Sequence, residues 1–384
     1  MKKLYIPSNL DLPNILELNK KSELDKFYYL IHLIYEQRVL YKMKDDFIPL
    51  KSTYLRKIIK NYNSYRDLLI DKSIINCDNY YIKSRKSYGY QIATPYSEVK
   101  VKQIELTNPI LLRNLNIWQI KRLPTTDIHL HLYEFLKEID INHCDASTYI
   151  ENLPISEYNS AKIAIDKFLN KDFFFYSDEY GRIHSNVTNL KSNIRKFLLY
   201  KGNTLYNIDI VNSQPLILLI LLFSKTQSHL HPIRCTFSNF AYKLGGDLHH
   251  YKTLVEEGKL YDFIMEKTGD TDRELVKTNL FREVLFGKRV SKFFADLFPT
   301  IAEMLVNIKK GDYRKLAWNM QRAESNLIIN RICRRIMQEH PDCFISTIHD
   351  SILTTQENIL IVKQIMQEEF KVVGLNPKIR VELA

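Results

Sequence analysis

Residues Tyr206 to Phe223 read YNIDIVNSQPLILLILLF and hold one carboxylate in an otherwise apolar setting. Asp209 lies between Ile208 and Ile210, ahead of the polar trio Asn212, Ser213 and Gln214. The piece LYNIDI has the composition of a buried β-strand. PLILLILLF has that of a buried helix whose first turn accommodates Pro215. Asp209 therefore falls at or near a strand end, in an interior where an isolated carboxylate is costly and is usually matched by a cation. A purely structural reading stays open here, an Asp that caps a turn or pairs with an arginine.

A second acid stands in a similar setting. In CFISTIHDSILTT, residues 343–355, an apolar strand runs into His349, Asp350 and Ser351 and leaves as another strand, a hairpin with an acidic tip. Two Asp residues far apart in sequence, each on a buried strand, are what a two-metal phosphoryl-transfer site needs. There, two Mg²⁺ ions about 3.5–4 Å apart align an attacking 3′-oxygen with a triphosphate. Mg²⁺ takes one or two carboxylates and completes its shell with substrate oxygens and water. The backbone carbonyl of Ile210 is a further donor.

Three more segments bear on this reading. DRELVKTNLFREVLFGK, residues 272–288, places Arg273, Lys277 and Phe281 at i, i+4 and i+8, one stripe of a helix. Two cations and a ring on one face suit a triphosphate and a base; alone, the segment reads as an amphipathic helix with a basic face. Residues 312–340 form a long helical pattern. Leu316, Met320, Ala323 and Leu327 line one side, Ile328, Ile332 and Ile336 extend it, and Gln321, Glu324 and Ser325 add polar groups that could line a groove. YGRIHSNVTNLKSNIRKFL, residues 180–198, carries Gly181, Arg182, Arg195 and Lys196 and suits a grip on a phosphate backbone.

The bulk properties agree with a polyanionic partner. Lys and Arg number 55 against 44 for Asp and Glu, a net +11, which favours nucleic acid over a membrane surface. The 384 residues, 45% hydrophobic, provide for two or three modest domains with buried cores. The longest apolar run is about half of what a bilayer requires, so a soluble chain is expected. The five cysteines stand apart with no CxxC, which argues against a zinc ribbon or a disulfide framework. With no apolar signal-peptide core at the N-terminus, a reducing cytoplasmic location is expected.

The first hundred residues read as a helical and winged-helix-like lobe. SELDKFYYLIHLIYEQRVLY sets Leu24, Phe27, Leu30, Ile31 and Ile34 at helical spacing, KSTYLRKIIKNYNSYRDLLIDKSII offers two shorter helices, and NYYIKSRKSYGYQIA two β-like pieces around the basic turn 83–86. The bland alternative is a small α+β lobe with a solvated hairpin. Residues 101–175 read as a helical connecting region, in which His129 and His131, at i, i+2, are poor joint metal ligands and read as satisfied histidines.

Taken in order, the segments of residues 176–384 resemble the motifs of family-A DNA polymerases and the related phage-type single-subunit RNA polymerases. YGRIHSNVTNLKSNIR is similar to the TGRLSS-x-x-PNLQNIP segment, NIDIVNSQPLIL to motif A (DYSQIELR), and DLHH, with Asp247 and His249, to the DIH-x-x-T start of the fingers. RELVKTNLF is similar to motif B (R-x-x-x-K-x-x-x-F), the Gln321 segment to Q-G-T-A-A-D, and IHDSI to motif C. The resemblance implies an α+β fold with a right-hand palm of antiparallel sheet and helices, fingers, and a mostly helical N-terminal region. It implies two Mg²⁺ ions on Asp209 and Asp350, with the Ile210 carbonyl as a further ligand. Arg273 and Lys277 would hold the triphosphate, with Lys277 as proton donor to pyrophosphate. Phe281 would pack on the nucleotide and Gln214 lie under its sugar. Arg182, Arg195, Gln321 and His349 would touch primer–template. The expected partners are a primer–template, dNTP or NTP, and a replication protein, with no membrane.

The departures are specific. Gln214, followed by Pro215, stands where motif A of the DNA enzymes has the sugar-screening Glu. Ser351 replaces the motif C Glu, as in the RNA enzymes. The Tyr-Gly that ends motif B is matched only by Phe286-Gly287, one residue late, with Leu285 in the aligned place. No three-acid exonuclease segment occurs, so no proofreading is expected. The size and AT-rich composition suggest a mobile-element, plasmid or phage gene. DNA synthesis is the first reading. RNA or primer synthesis, an inactive palm kept as a DNA-binding scaffold, and an unrelated nuclease are the alternatives.

Overall fold

The computed structural model describes residues 2–18, 20–40, 47–83, 85–120, 123–224 and 246–384; Ser84 of the basic turn and Cys235 lie outside them. The chain divides into two units. The first comprises residues 1–124, 137–176 and 184–202, and the second 125–136, 177–183 and 203–384. The segments 1–100 and 101–175 lie largely within the first unit. The reason is a long-range ladder that local pattern does not show. Lys3–Pro7 forms a strand paired antiparallel with Val101–Glu105, Lys3 opposite Glu105.

The first unit continues with helix Lys21–Leu40, strand Ile48–Pro49, helices Ser52–Ile58 and Tyr62–Asp71, and strands Ile75–Cys77 and Gly89–Ile92. Gly89–Ile92 is the central strand, antiparallel to both others. Leu24, Phe27, Leu30, Ile31 and Ile34, the residues at helical spacing, are all buried in its core with Leu55, Ile58 and Leu69. The hairpin's first strand is Ile75–Cys77, earlier than the tyrosines suggested, and the two-residue strand Ile48–Pro49 is too short to read from sequence.

The second unit holds an antiparallel sheet. Its strands lie in the order Ser346–Ile348, Ser351–Thr355, Asn203–Ile210, Ile379–Leu383. Helix Ile359–Val372 packs on the two central strands. Helix Ser213–Ser224 buries Leu216, Ile217, Leu218, Leu219 and Leu222, as expected of a helix apolar on every side. It packs on helix Arg314–Ser325. That helix continues through a π-helical stretch, Asn326–Cys333, into Arg334–Glu339. Leu316, Met320, Leu327, Ile328, Ile332 and Ile336 are fully buried along it. The molecule is thus a mixed helix-and-sheet protein whose sheets are antiparallel. Among the described residues no helix is long and apolar enough to cross a membrane. His131 departs from its expectation: its Nε2 is buried without a hydrogen-bond partner, the ring set edge-on to Phe135.

Candidate active site

Strand alternation decides how Asp209 is presented. Ile208 and Ile210 point into the core, so the residue between them turns to the other face. Asp209 is half-buried there. Its cation is Arg380, directly opposite in the register with Ile379–Leu383, with Nη2 3.2 Å from Oδ2. Arg380 also reaches Glu382, Nε to Oε2 3.3 Å.

Asp350 is brought alongside by the neighbouring strand. Ile348 pairs with Ser351, so His349 and Asp350 form a two-residue turn. His349 takes φ 54°, the positive value that hairpin turns matching the strand twist require. Ile208 lies opposite Ile352, which puts Asp209 and Asp350 at the same end of adjacent strands. Their proximity is electrostatic as well as topological. Burial raises the Asp209 pKa, the Asp350 charge raises it further, and Arg380 offsets part of the effect.

Glu324, read from sequence only as a groove residue, is the third acid of this region and is 1% exposed. Burial raises its pKa, Arg182 opposes the rise, and Asp350 adds to it. Arg182 meets it with both arms of its fork, Nε to Oε1 3.1 Å and Nη2 to Oε2 3.0 Å, while Gln214 Nε2 donates to Oε2 at 2.5 Å. Gln214 and Arg182 are therefore tied to each other through Glu324. The Arg182 fork is committed inside the protein, and was expected instead on a phosphate backbone. The loop that delivers it is built tightly. Asp178 accepts the N–H groups of Tyr180 and Arg182, and Gly181 takes φ 84°, where a Cβ would stand 3.2 Å from that of Ser325.

Gln321 is half-buried on the helix that carries Glu324. Beside it lies an aromatic–cation ladder that sequence reading missed. Trp318 stacks near-parallel to Tyr180 at 6.4 Å, Arg314 sits 5.6 Å over Trp318, and Arg322 sits 5.7 Å over Tyr180. Arg314, Trp318 and Arg322 follow one another at i, i+4 and i+8, which is the signal that could have revealed them.

The Arg273–Lys277–Phe281 stripe is not one straight α-helical face. Arg273–Asn279 is α-helical, and Leu280–Leu285 is a π-helix in which Phe286 N–H reaches back five residues to Phe281. Arg273 pairs with Asp262 at 3.3 Å and lies 5.0 Å over the buried Tyr261 ring. Lys277 stands 3.7 Å from Glu274. Burial raises the Tyr261 hydroxyl pKa, Arg273 opposes the rise, and Glu274 and Asp350 add to it. Phe281 and Phe286 meet edge to face at 5.8 Å. The π turn contains one residue more than an α turn. It thereby brings Phe286 round to the place an unbroken α-helix would give Leu285. Leu285 is buried and Phe286 is exposed.

Lys309 secures the end of this segment, its buried Nζ donating to the carbonyls of Val284 and Gly287. Burial lowers its pKa to about 8. Gly287 admits no side chain, since a Cβ would lie 2.3 Å from the Arg282 carbonyl oxygen. Of the remaining sequence candidates, Arg195 belongs to the first unit and donates to the Leu190 carbonyl at 3.1 Å. Asp247 accepts Thr300 N–H and Oγ1 at the start of helix Pro299–Lys309, a structural cap.

Among the described residues no group of three or more His, Cys, Asp or Glu side chains stands where it could hold a metal ion. The pair Asp209 and Asp350 fits a cation that takes two carboxylates and finds its other ligands on substrate, and it does not form an all-protein cage.

No family model matches the sequence, and no curated protein matches it. Among solved structures the chain is similar to the POL domain of Pol1 from M. smegmatis in complex with DNA primer-template and dNTP, at 14% identity and a TM-score of 0.30. The alignment spans 62% of this chain and 55% of that one.

Proposed function

We propose that this chain is a template-directed nucleotidyltransferase, a DNA polymerase without proofreading, built on a palm-like sheet with Asp209 and Asp350 at its active end. The observation that carries the reading is the placement of these two carboxylates at one end of adjacent antiparallel strands, with the Asp350 charge helping to raise the Asp209 pKa. Two Mg²⁺ ions would be held by them and by the Ile210 carbonyl, and when bound would neutralise charge on the attacking and leaving oxygens. Arg273 and Lys277 bind the triphosphate, and Lys277 delivers the proton to the departing pyrophosphate. Phe281 and the exposed Phe286 pack on the nucleotide, with Phe286 taking the part of the aromatic that ends motif B. Gln214, oriented by Glu324, lies under the sugar. Gln321 and His349 face the primer–template, Arg195 adds a backbone contact, and Arg182 acts mainly by holding Glu324. Synthesis of RNA or primers is the second reading, favoured by Gln214, an amide where an acid would screen the sugar.

The test is extension of a labelled primer–template with Mg²⁺, dNTPs against NTPs, for the wild type and for Asp209→Ala and Asp350→Ala. Each substitution is expected to lower the rate by at least about a thousandfold, since a lost metal ligand removes several kcal/mol of transition-state stabilisation. Extension retained by either variant would overturn the metal assignment. A wild type that binds DNA yet extends nothing, with or without a primer, would identify a palm kept as a scaffold.

A further inference from the structure

We propose that the hairpin of residues 78–88 in the first unit is a wing that binds single-stranded nucleic acid by stacking, separate from the Asp209 site. Helix, strand, two helices and two strands, with the last strand central, is the arrangement of a winged helix. Its second-helix partner, Tyr62–Asp71, is poorly suited to a phosphate surface. Its exposed positions are Asn63, Ser64, Asp67 and Asp71, and Arg66 is turned to Asp67 and to the Tyr62 ring.

The hairpin has the opposite character. Within residues 78–88 the three cations Lys83, Arg85 and Lys86 stand against a single acid, Asp78, which pairs with Lys86. Tyr80, Tyr81 and Tyr88 are 53%, 55% and 40% exposed, far more aromatic surface than a solvated turn needs. Tyr81 and Tyr88 face each other at 5.6 Å, and the Lys86 ammonium sits 4.3 Å over Tyr80. The base of the hairpin is fixed. Asp78 accepts from the N–H groups of Tyr80 and Gly89 and from Lys86 Nζ at 2.8–3.0 Å. Gly89 is required there, because a Cβ would lie 2.7 Å from Asp78 Oδ2 and 2.8 Å from Phe47 Cβ.

Cations interleaved with exposed rings bind a strand whose bases are unpaired, because paired bases keep their faces inside the duplex stack. The charge of Lys83 and Arg85 then answers the phosphates between stacked bases.

The experiment measures anisotropy of a labelled oligodeoxythymidylate with the full-length chain, without Mg²⁺ or nucleotide, over a salt series, with blunt duplex DNA in parallel. Tyr81→Ala/Tyr88→Ala is expected to weaken single-strand binding at least about tenfold, the scale of lost base stacking. Tyr81→Phe/Tyr88→Phe keeps the rings and is expected to bind as the wild type, which also separates stacking from misfolding. Lys83→Ala/Arg85→Ala is expected to weaken binding and flatten its salt dependence. Wild-type affinity in the Ala pair, equal weakening in the Phe pair, or equal loss of duplex binding would overturn the proposal. Primer extension reports on Asp209 and Asp350 independently. A wild type that extends nothing leaves the oligonucleotide result standing, and an active wild type does not rescue the wing.

Discussion

At the scale of single residues, Glu324 is the most consequential side chain that motif reading passed over. It is nearly inaccessible, yet three groups converge on it: Arg182, Gln214 and, through space, Asp350. Removing one partner of a buried ion pair leaves the other charge uncompensated, whereas replacing both by apolar groups is often neutral. Arg182→Ala is therefore expected to cost about 3–5 kcal/mol, and Arg182→Met/Glu324→Leu much less, as measured by urea unfolding. Equal losses in the two variants would show that packing, not charge, holds the loop. The double variant also frees Gln214. If Glu324 orients that amide beneath the sugar, the ratio of dNTP to NTP incorporation shifts in the double variant while Asp209 and Asp350 are untouched.

At the scale of elements, the π-helix Leu280–Leu285 resolves an apparent misalignment. Leu285→Ala opens a core cavity and is expected to lower stability by about 2–5 kcal/mol. Phe286→Ala, on the surface, is expected to leave stability unchanged and raise the KM for nucleotide. Steady-state kinetics beside thermal melts separates the two, and a reversed pattern would return the aromatic role to position 285. The same element carries a pH signature. Lys309, which caps it, has a pKa lowered to about 8 from 10.5 by burial. Between those values the unfolded chain keeps a proton that the folded chain has lost, so this group's contribution to stability rises with pH. Relative to Lys309→Met, the wild type is expected to gain stability from pH 8 to 10, by at most about 1.4 kcal/mol per pH unit. A difference constant over that range in denaturant titrations would refute it.

At the scale of the whole molecule, the two units are expected to respond differently to acid. In the first, buried His32 accepts the Tyr5 N–H on Nδ1 and has a pKa lowered by burial to about 4 from 6.5. Between these values the unfolded chain binds a proton that the folded chain excludes, so stability is lost as pH falls through this window, by about 3 kcal/mol in all. In the second unit, Asp209 and Glu324 have raised values, so the folded chain binds protons more readily there and the same acidification favours it. Amide protection, corrected for the intrinsic pH dependence of exchange, is expected to fall from pH 7 to pH 4.5 more in helix Lys21–Leu40 than in strand Asn203–Ile210; the reverse order would contradict this assignment.

Much of this was legible in the residues alone. Period-two burial around Asp209, the apolar run after Pro215, the acidic hairpin at Asp350 and the helical spacing of Leu316 through Ile336 are local patterns, and local patterns determine strands, helices and their buried faces. The sequence by itself therefore determined these elements of the second unit and the two carboxylates they carry. Only the tertiary structure decided what those carboxylates meet. Arg380 answers Asp209 because a strand 171 residues away pairs in one particular register. Glu324 joins Arg182 to Gln214 across 142 and 110 positions. Lys3–Pro7 is a strand only because Val101–Glu105 completes its ladder. Register, long-range pairing and desolvation are properties of the closed chain, and no window of adjacent residues contains them.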